Sequence, residues 1–420
     1  MKDLRRASGR ASLKVYLFNV GQGDNLLLEL PNGEFGLLDF YYDEKLRLAE
    51  PPSLTYLRHL HPHKPVISFV CISHPDRDHI RGVDNFYRWV EWNNIKVRRV
   101  FLFSGWDFAE MKSQVHLAIK SALPHVAIKE RVDRFAQQLD AISALAARSE
   151  TPVEYVQDIR PLAKIGRMVE VMSIGPLGSH TRRFNARSLR HFCAYLLTGR
   201  TRRPPGRNDV SGLLLIRYLS HNLLFGGDAG ERVWSECLKH FDELKLRETY
   251  GTCKASFVKA SHHGAESSSS VALWRRILGE KYRVGVSAGR THYGHPRPKM
   301  LVDISTAKGP FAAARRVFST NVCEKCLMKQ ERDFANLELP NDGDVPTETR
   351  HELNLNRARY YRFGPAVQTL GLAAYILQFN ANGTTQLKLG VTRQIPSYQG
   401  CIYGEPAKND FPECALRLSG

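Results

Sequence analysis

No apolar run in these 420 residues approaches the ~18 residues needed to cross a bilayer as a helix. That shortage excludes a helical membrane protein. The longest candidates, 65–72 (PVISFVCI) and 370–377 (LGLAAYIL), have the length of buried strands. Cysteine is scarce as well: eight, widely spread, make no disulfide framework, and Cys71 and Cys193 sit in apolar runs as small core residues would. No apolar segment follows the basic start MKDLRRASGRAS, so no secretory signal is expected and the chain is assigned to the cytoplasm. Acidic residues are outnumbered, 42 against 60 Lys and Arg, for a formal charge of +18. This excess favours polyanionic partners, nucleic acid first and an anionic membrane surface second. Hydrophobic residues make up 43%, enough for a large core and too many for a disordered chain.

The chain alternates strand and helix signals. Three short strands open it at 13–20, 25–30 and 34–39, with a tight glycine turn GQGD at 21–24 and a Pro-Asn-Gly turn at 31–33. A helix at 52–60, a buried strand at 65–72, a helix at about 79–90 and a strand at 97–103 follow. A helical insertion is expected at about 104–165, with helix-like spacing over 107–149, before strands resume over 153–176. The segment 178–208 carries eight arginines and no acidic residue. Beyond it lie an apolar hairpin at 211–227, a strand at 254–259, a helix at 269–278, a strand at 282–287 and a helix at 297–307. This rhythm predicts an α/β layered fold. It fades after about residue 320, so 321–420 is read as a C-terminal extension of unknown role.

The sharpest chemical signal is 74–79, His-Pro-Asp-Arg-Asp-His. His74, Asp76, Asp78 and His79 place four potential metal ligands in six residues between a buried strand and a helix. A strand-to-helix turn can aim consecutive side chains into one pocket, whereas a helix would scatter them around its axis. Asp76 is a hard oxygen ligand, which tilts the set towards Mn²⁺ or Mg²⁺ while still admitting Zn²⁺. Asp228, in Gly-Gly-Asp-Ala-Gly after a strand, can bridge two cations, the glycines permitting close backbone approach. His262 and His263 end a strand, where neighbours point oppositely. One of them is therefore expected to bind metal, with His263 favoured and His262 behind it or catalytic. His295, in Tyr-Gly-His-Pro, reads as either a metal ligand or the acid that protonates a leaving oxygen. Asp24 and Asp39 are expected to organise the pocket by hydrogen bonds to the ligands. Arg200, Arg202, Arg203 and Arg207 are the candidates for substrate phosphate contact. Cys323 and Cys326 have the spacing of half a structural zinc site.

In order, these stretches resemble the metallo-β-lactamase superfamily, which carries His-x-His-x-Asp-His where this chain has His-Pro-Asp-Arg-Asp-His. The replacement by Asp76 resembles the hydrolase domain of the ComEC competence proteins and their stand-alone relatives. The resemblance runs through VYLFNVGQGDNLLLELPNGEFGLLDF (15–40), NDVSGLLLIRYLSHNLLFGGDAG (208–230), VKASHHGAESSSS (258–270) and VSAGRTHYGHP (286–296), about three-quarters of the chain. It implies an αββα sandwich over 1–320. It also implies two divalent cations (Zn²⁺ or Mn²⁺, with Mg²⁺ admitted), one on His74 and Asp76, the other on Asp78, His79 and His263, with Asp228 bridging. Asn208 and Asp209 stand where many members have a metal-binding histidine, a departure that leaves one coordination position to water or substrate.

The expected function is a metal-dependent phosphodiesterase, a nuclease acting on DNA ahead of RNA, with Asp78, His262 and His295 as the catalytic side chains. The alternatives are a small-substrate hydrolase on the same fold, a cyclic nucleotide phosphodiesterase or lactonase, and a non-catalytic nucleic-acid-binding protein. A lid formed by 107–149 would favour a small substrate. The ligand set weighs against a non-catalytic role, because buried carboxylates without a cation repel one another.

Overall fold

The computed structural model describes residues 12–46, 48–60, 64–103, 126–198, 207–245, 251–289, 295–308, 317–320, 373–391 and 401–403. Two eight-stranded sheets hold them together. The first contains β1 (Ser12–Phe18), β2 (Asn25–Glu29), β3 (Phe35–Phe40), β4 (Ile67–Ile72), β5 (Val100–Phe103) and β6 (Glu154–Val156). The second contains β7 (Ile159–Ile165), β8 (Val169–Gly175), β9 (Leu213–Tyr218), β10 (His221–Phe225), β11 (Ala255–Lys259), β12 (Leu278–Val286) and β13 (Val317–Ser319). Two late strands, β14 (Ala373–Asn380) and β15 (Thr385–Val391), extend the first sheet beyond β1, and β16 (Cys401–Tyr403) extends the second beyond β13. β3 to β6 run parallel, as do β10 to β13.

Alternation along the strands separates the layers. On β1, Leu13, Val15 and Leu17 face the second sheet and meet Leu214, Ile216, Phe225 and Phe257 there. Tyr16 and Phe18, between them in sequence, face outward onto helices. The strands are thus covered on both faces and read as nearly continuous apolar runs. The outer layer on the first sheet comprises α1 (Pro52–Leu60), the short α2 (Arg77–Ile80), α3 (Val83–Trp92) and α4 (Val126–Ala147), which bury Leu54, Phe86, Trp89 and Ile142. After α5 (Gly178–Thr198), three helices cover the second sheet: α6 (Glu231–Glu243), α7 (Val271–Ile277) and α8 (Pro298–Lys308), through Trp234, Phe241, Trp274 and Ile304. Helix, sheet, sheet, helix: the fold is the αββα sandwich expected from the sequence. Among the described residues no helix is long and apolar enough to cross a membrane.

Three segments gain detail from the structure. The stretch expected as a helical insertion at 104–165 contains α4, whose Leu139, Ile142 and Leu145 lie in the outer core against α3, and then β6 and β7 of the two sheets. Its described part belongs to the sandwich layers; the rest of the proposed lid lies outside the described residues. The rhythm that fades after residue 320 returns as β14 to β16, which pair at sheet edges and bury Leu377 and Phe379 between the sheets. In the basic segment, 178–198 is one helix.

Candidate metal centre

Parallel strands deliver their carboxyl ends to one edge of a sheet, and the loops there build the site of an open α/β structure. Here both sheets contribute. β1 leads into the GQGD turn, β3 carries Asp39 as its penultimate residue, and β4 leads into the 74–79 turn. β10 leads into Gly-Gly-Asp228, β11 into His262 and His263, and β12 into Ser287 and, further on, His295. Close backbone approach joins the turns. Asp24 N–H donates to the Asp78 carbonyl at 2.9 Å, and a Cβ on Gly23 would sit 2.6 Å from that carbonyl. Gly227 has φ +47, and a Cβ there would meet Ser211 Oγ at 2.5 Å and Ser73 Oγ at 2.7 Å. Each position therefore requires glycine.

Asp78, His79, Asp228 and His263 offer ligand atoms within 4.8 Å of one another, three of the four residues being buried. Hydrogen bonds behind the histidines set their tautomers. His79 Nδ1 lies 2.8 Å from Asp39 Oδ2, an acceptor, so Nδ1 carries the proton and Nε2 is left to face Asp228 Oδ1 at 3.2 Å. Ser73 fixes Asp39 in turn, donating its backbone N–H at 2.8 Å and its hydroxyl at 2.6 Å. His263 Nδ1–H donates to the Ser287 carbonyl at 3.0 Å, which turns Nε2 towards Asp78 Oδ2 (3.3 Å) and Asp228 Oδ1 (3.7 Å). Asp228 itself is anchored by its backbone N–H, which donates to Ser211 Oγ at 2.8 Å.

Burial disfavours every charge in this cluster, yet the opposite charges prevail. His79 is pushed well above the usual imidazole range by Asp228 and Asp39, and Asp228 is held well below the usual carboxylate range by His79 and His263. His263 is raised and Asp78 lowered for the same reason. Meanwhile His79 Nε2, Asp228 Oδ1 and both ring nitrogens of His74 are buried without a hydrogen-bond partner. The partnerless His79 Nε2 and Asp228 Oδ1, buried beside Asp78 and His263, fit a divalent cation, whose charge would satisfy them together. Asp78, His79, Asp228 and His263 are the residues that could hold it.

His74 stands beside this group, its ring edge-on to His79 at 5.2 Å between centroids, with Nε2 3.2 Å from Asp76 Oδ2. Asp76 is half-buried and held below the usual carboxylate range: burial opposes this, but His74 and Arg207 outweigh it. His262 and His263 differ from the sequence expectation. Both adopt left-handed backbone angles (φ 49 and 56) in a turn after β11, so strand alternation does not apply and both rings reach the same pocket. His262 Nε2 is 3.8 Å from Asp228 Oδ2, and its Nδ1 accepts from Asn208 Nδ2 at 3.2 Å. Asp39 is left-handed too (φ 58). Such strain costs about 1–3 kcal/mol per residue and persists where the surroundings enforce it, as at functional sites. His295 is buried, 5.8 Å from the His262 ring, and pulled down to about 3 by burial, His263 and His262. It is therefore neutral at pH 7.

Of the remaining sequence candidates, Asp24 pairs with the buried Lys259 ammonium at 2.7 Å and approaches His263 Nδ1 at 3.6 Å. Asp209 lies apart from the cluster and pairs with Arg232 (2.9 Å) and Arg187 (3.6 Å). Arg207 pairs with Asp76. Arg200, Arg202, Arg203, Cys323 and Cys326 fall outside the described residues. Sequence reasoning missed Lys259, Ser73, Ser211 and Ser287. Lys259 carried a faint signal, a lone cation at the end of an apolar strand.

Asp39→Asn tests the tautomer argument. An amide NH₂ facing His79 Nδ1 would place the ring proton on Nε2, against the cation. Mn²⁺ affinity, measured calorimetrically on chelator-stripped protein, is expected to fall about 10–100-fold; unchanged affinity would remove Asp39 from the site.

No family model matches the chain, and no curated protein sequence matches it. Among solved structures, the chain is similar to the metallo-β-lactamase-fold protein YhfI from Bacillus subtilis. That likeness has 9% identity over 73% of this chain and 96% of the other, with a TM-score of 0.35. It is also similar to a variant of the CmlA β-hydroxylase, at 15% identity over 70% of this chain and 44% of the other, with a TM-score of 0.32. Both are likenesses of chain arrangement at low identity.

Proposed function

We propose that this protein is a two-metal phosphodiesterase that hydrolyses nucleic-acid strands, DNA ahead of RNA. The observation that carries the reading is the convergence of Asp78, His79, Asp228 and His263, with His74 and Asp76 adjoining, at the shared edge of the two sheets. The ordered motifs resembling the ComEC hydrolase domain support it. A divalent pair, when bound, lowers the pKa of the attacking water and neutralises charge building on the phosphoryl oxygens. Around it the chain's own groups have separate tasks. Asp39 and the Ser287 carbonyl hold His79 and His263 with Nε2 inward, and Asp228 presents a carboxylate between them. His262, accepting from Asn208 on Nδ1, keeps its proton on Nε2, on the side of Asp228, where it can be handed to a leaving oxygen. His295, neutral beside it, is a second group through which that proton can pass.

A polymeric substrate is supported by charge as well as by the motifs. Arg187, Arg207 and Arg232 lie at the Asn208–Asp209 corner of the site, on a chain of net charge +18. Arg200, Arg202 and Arg203 belong to the same basic segment in sequence. The test is a panel of Mn²⁺, Zn²⁺ and Mg²⁺ on single-stranded DNA, duplex DNA, RNA, a cyclic dinucleotide and an aryl phosphodiester. DNA cleavage supported by Mn²⁺ at least as well as by Zn²⁺ is expected, given the hard Asp76 ligand. Replacing Arg200, Arg202 and Arg203 together should flatten the salt dependence of DNA binding by about one unit of slope per lost contact, while aryl-diester turnover stays near wild type. Cleavage confined to the cyclic dinucleotide would replace the polymer reading. Activity with Zn²⁺ alone would refute the inference from ligand type.

A further inference from the structure

Asp76 departs from its expected role in a way that points to a control element. Its residue caps α2 with extended backbone angles, yet its side chain makes no capping hydrogen bond. Instead one carboxylate oxygen, Oδ1, is taken by the Arg207 guanidinium, 131 residues away, and the other faces His74 Nε2 at 3.2 Å. Among the described residues, neither His74 nor Asp76 joins a group of three or more converging ligand atoms, whereas Asp78, His79, Asp228 and His263 do so. One cation position is thus assembled, and the other has its hard ligand tied to a positive charge. Arg207 is itself exposed, with 46% of its side chain open to solvent, so an arriving anion can reach it.

We infer that Arg207 gates the second cation position: paired with Asp76 it competes with the cation for that carboxylate, and a phosphate oxygen of the substrate releases Asp76 by taking its place on the guanidinium. The exchange is chemically even, because a guanidinium fork accommodates a phosphate as readily as a carboxylate. No covalent bond changes. The inference rests on the two-cation reading above and deepens it: the second cation would be held firmly only when a phosphate is present. Arg207 acts here as a positioning residue, through Asp76.

Uptake of Mn²⁺ by chelator-stripped full-length protein, followed by the EPR signal of the free ion, reads the gate without any turnover. Wild type is expected to bind one Mn²⁺ tightly and a second more weakly. R207Q should tighten the second step about fivefold, the worth of a partly exposed ion pair, and leave the first step unchanged. In an Asp76→Asn background the same change should have no effect. Millimolar inorganic phosphate should tighten the second step in wild type and add little in R207Q. Equal second-step affinities in wild type and R207Q, a gain that survives Asp76→Asn, or an equal phosphate effect in both proteins would each overturn the gate while two bound Mn²⁺ leave the two-cation reading standing. Failure of every variant to bind Mn²⁺ would overturn both.

Discussion

Asp228→Ala is expected to abolish metal-dependent hydrolysis, by at least about 10³-fold, a barrier increase of about 4 kcal/mol. The carboxylate lies between the Nε2 atoms of His79 (3.2 Å) and His263 (3.7 Å), and its Oδ1 is buried without a hydrogen-bond donor. In the two-cation reading it is the one protein group that serves both positions, so its loss uncouples them. The fold should survive. The backbone N–H that binds Ser211 Oγ is unchanged by the substitution, and His79 and His263, which Asp228 raises, can release their protons once it is gone, so no charge is left stranded. Two measurements decide the matter. Circular dichroism of the variant should match wild type. Mn²⁺ at a hundred times its Kd should stabilise wild type by about 2.7 kcal/mol and the variant scarcely at all. Near-wild-type turnover by Asp228→Ala would sink the assignment.

The second large effect concerns stability. Lys259 is only 1% exposed, at the end of β11. Its ammonium donates to Asp24 Oδ2 at 2.7 Å and to the Ala260 carbonyl at 3.0 Å. Lys259→Met keeps most of the side-chain volume but strands the Asp24 carboxylate in the core, close to His263 and the cluster behind it. Breaking one side of a buried pair costs about 3–5 kcal/mol, because the remaining charge is uncompensated. Denaturant unfolding of the stripped protein should show a loss of that size. Asp24→Asn in the Lys259→Met background should recover a substantial part, since the stranded charge is then gone. A loss below about 1 kcal/mol would mean that water reaches the pair and that it contributes as a surface ion pair does.

What the sequence determined by itself is local. Alternating strand and helix signals specified a layered α/β fold, because a strand buried on both faces must be apolar throughout and a helix covering it must be apolar on one side, while the αββα arrangement was implied by the resemblance of the ordered motifs. The candidate set His74, Asp76, Asp78 and His79 was legible because four potential ligands in six residues after a buried strand can be aimed together only at a strand-to-helix turn; of these, Asp78 and His79 join the converging group. Asp228 was legible because glycines precede it where the backbone must pass close to Ser73 and Ser211. The tertiary structure decided everything that depends on which loops share the sheet edge. Asp39 orients His79 from 40 residues away, Lys259 reaches Asp24 across 235, and Arg207 reaches Asp76 across 131. Strand order sets these contacts, and periodicity in sequence carries no record of it. The same holds for β14, which carries β15 on its outer edge and whose other hydrogen-bonding partner, β1, lies more than 350 residues earlier in the sequence. The left-handed turn at His262 and His263 escaped for a different reason. Neither residue type asks for that backbone conformation; the close contacts around the turn impose it, and they exist only once the two sheets have met.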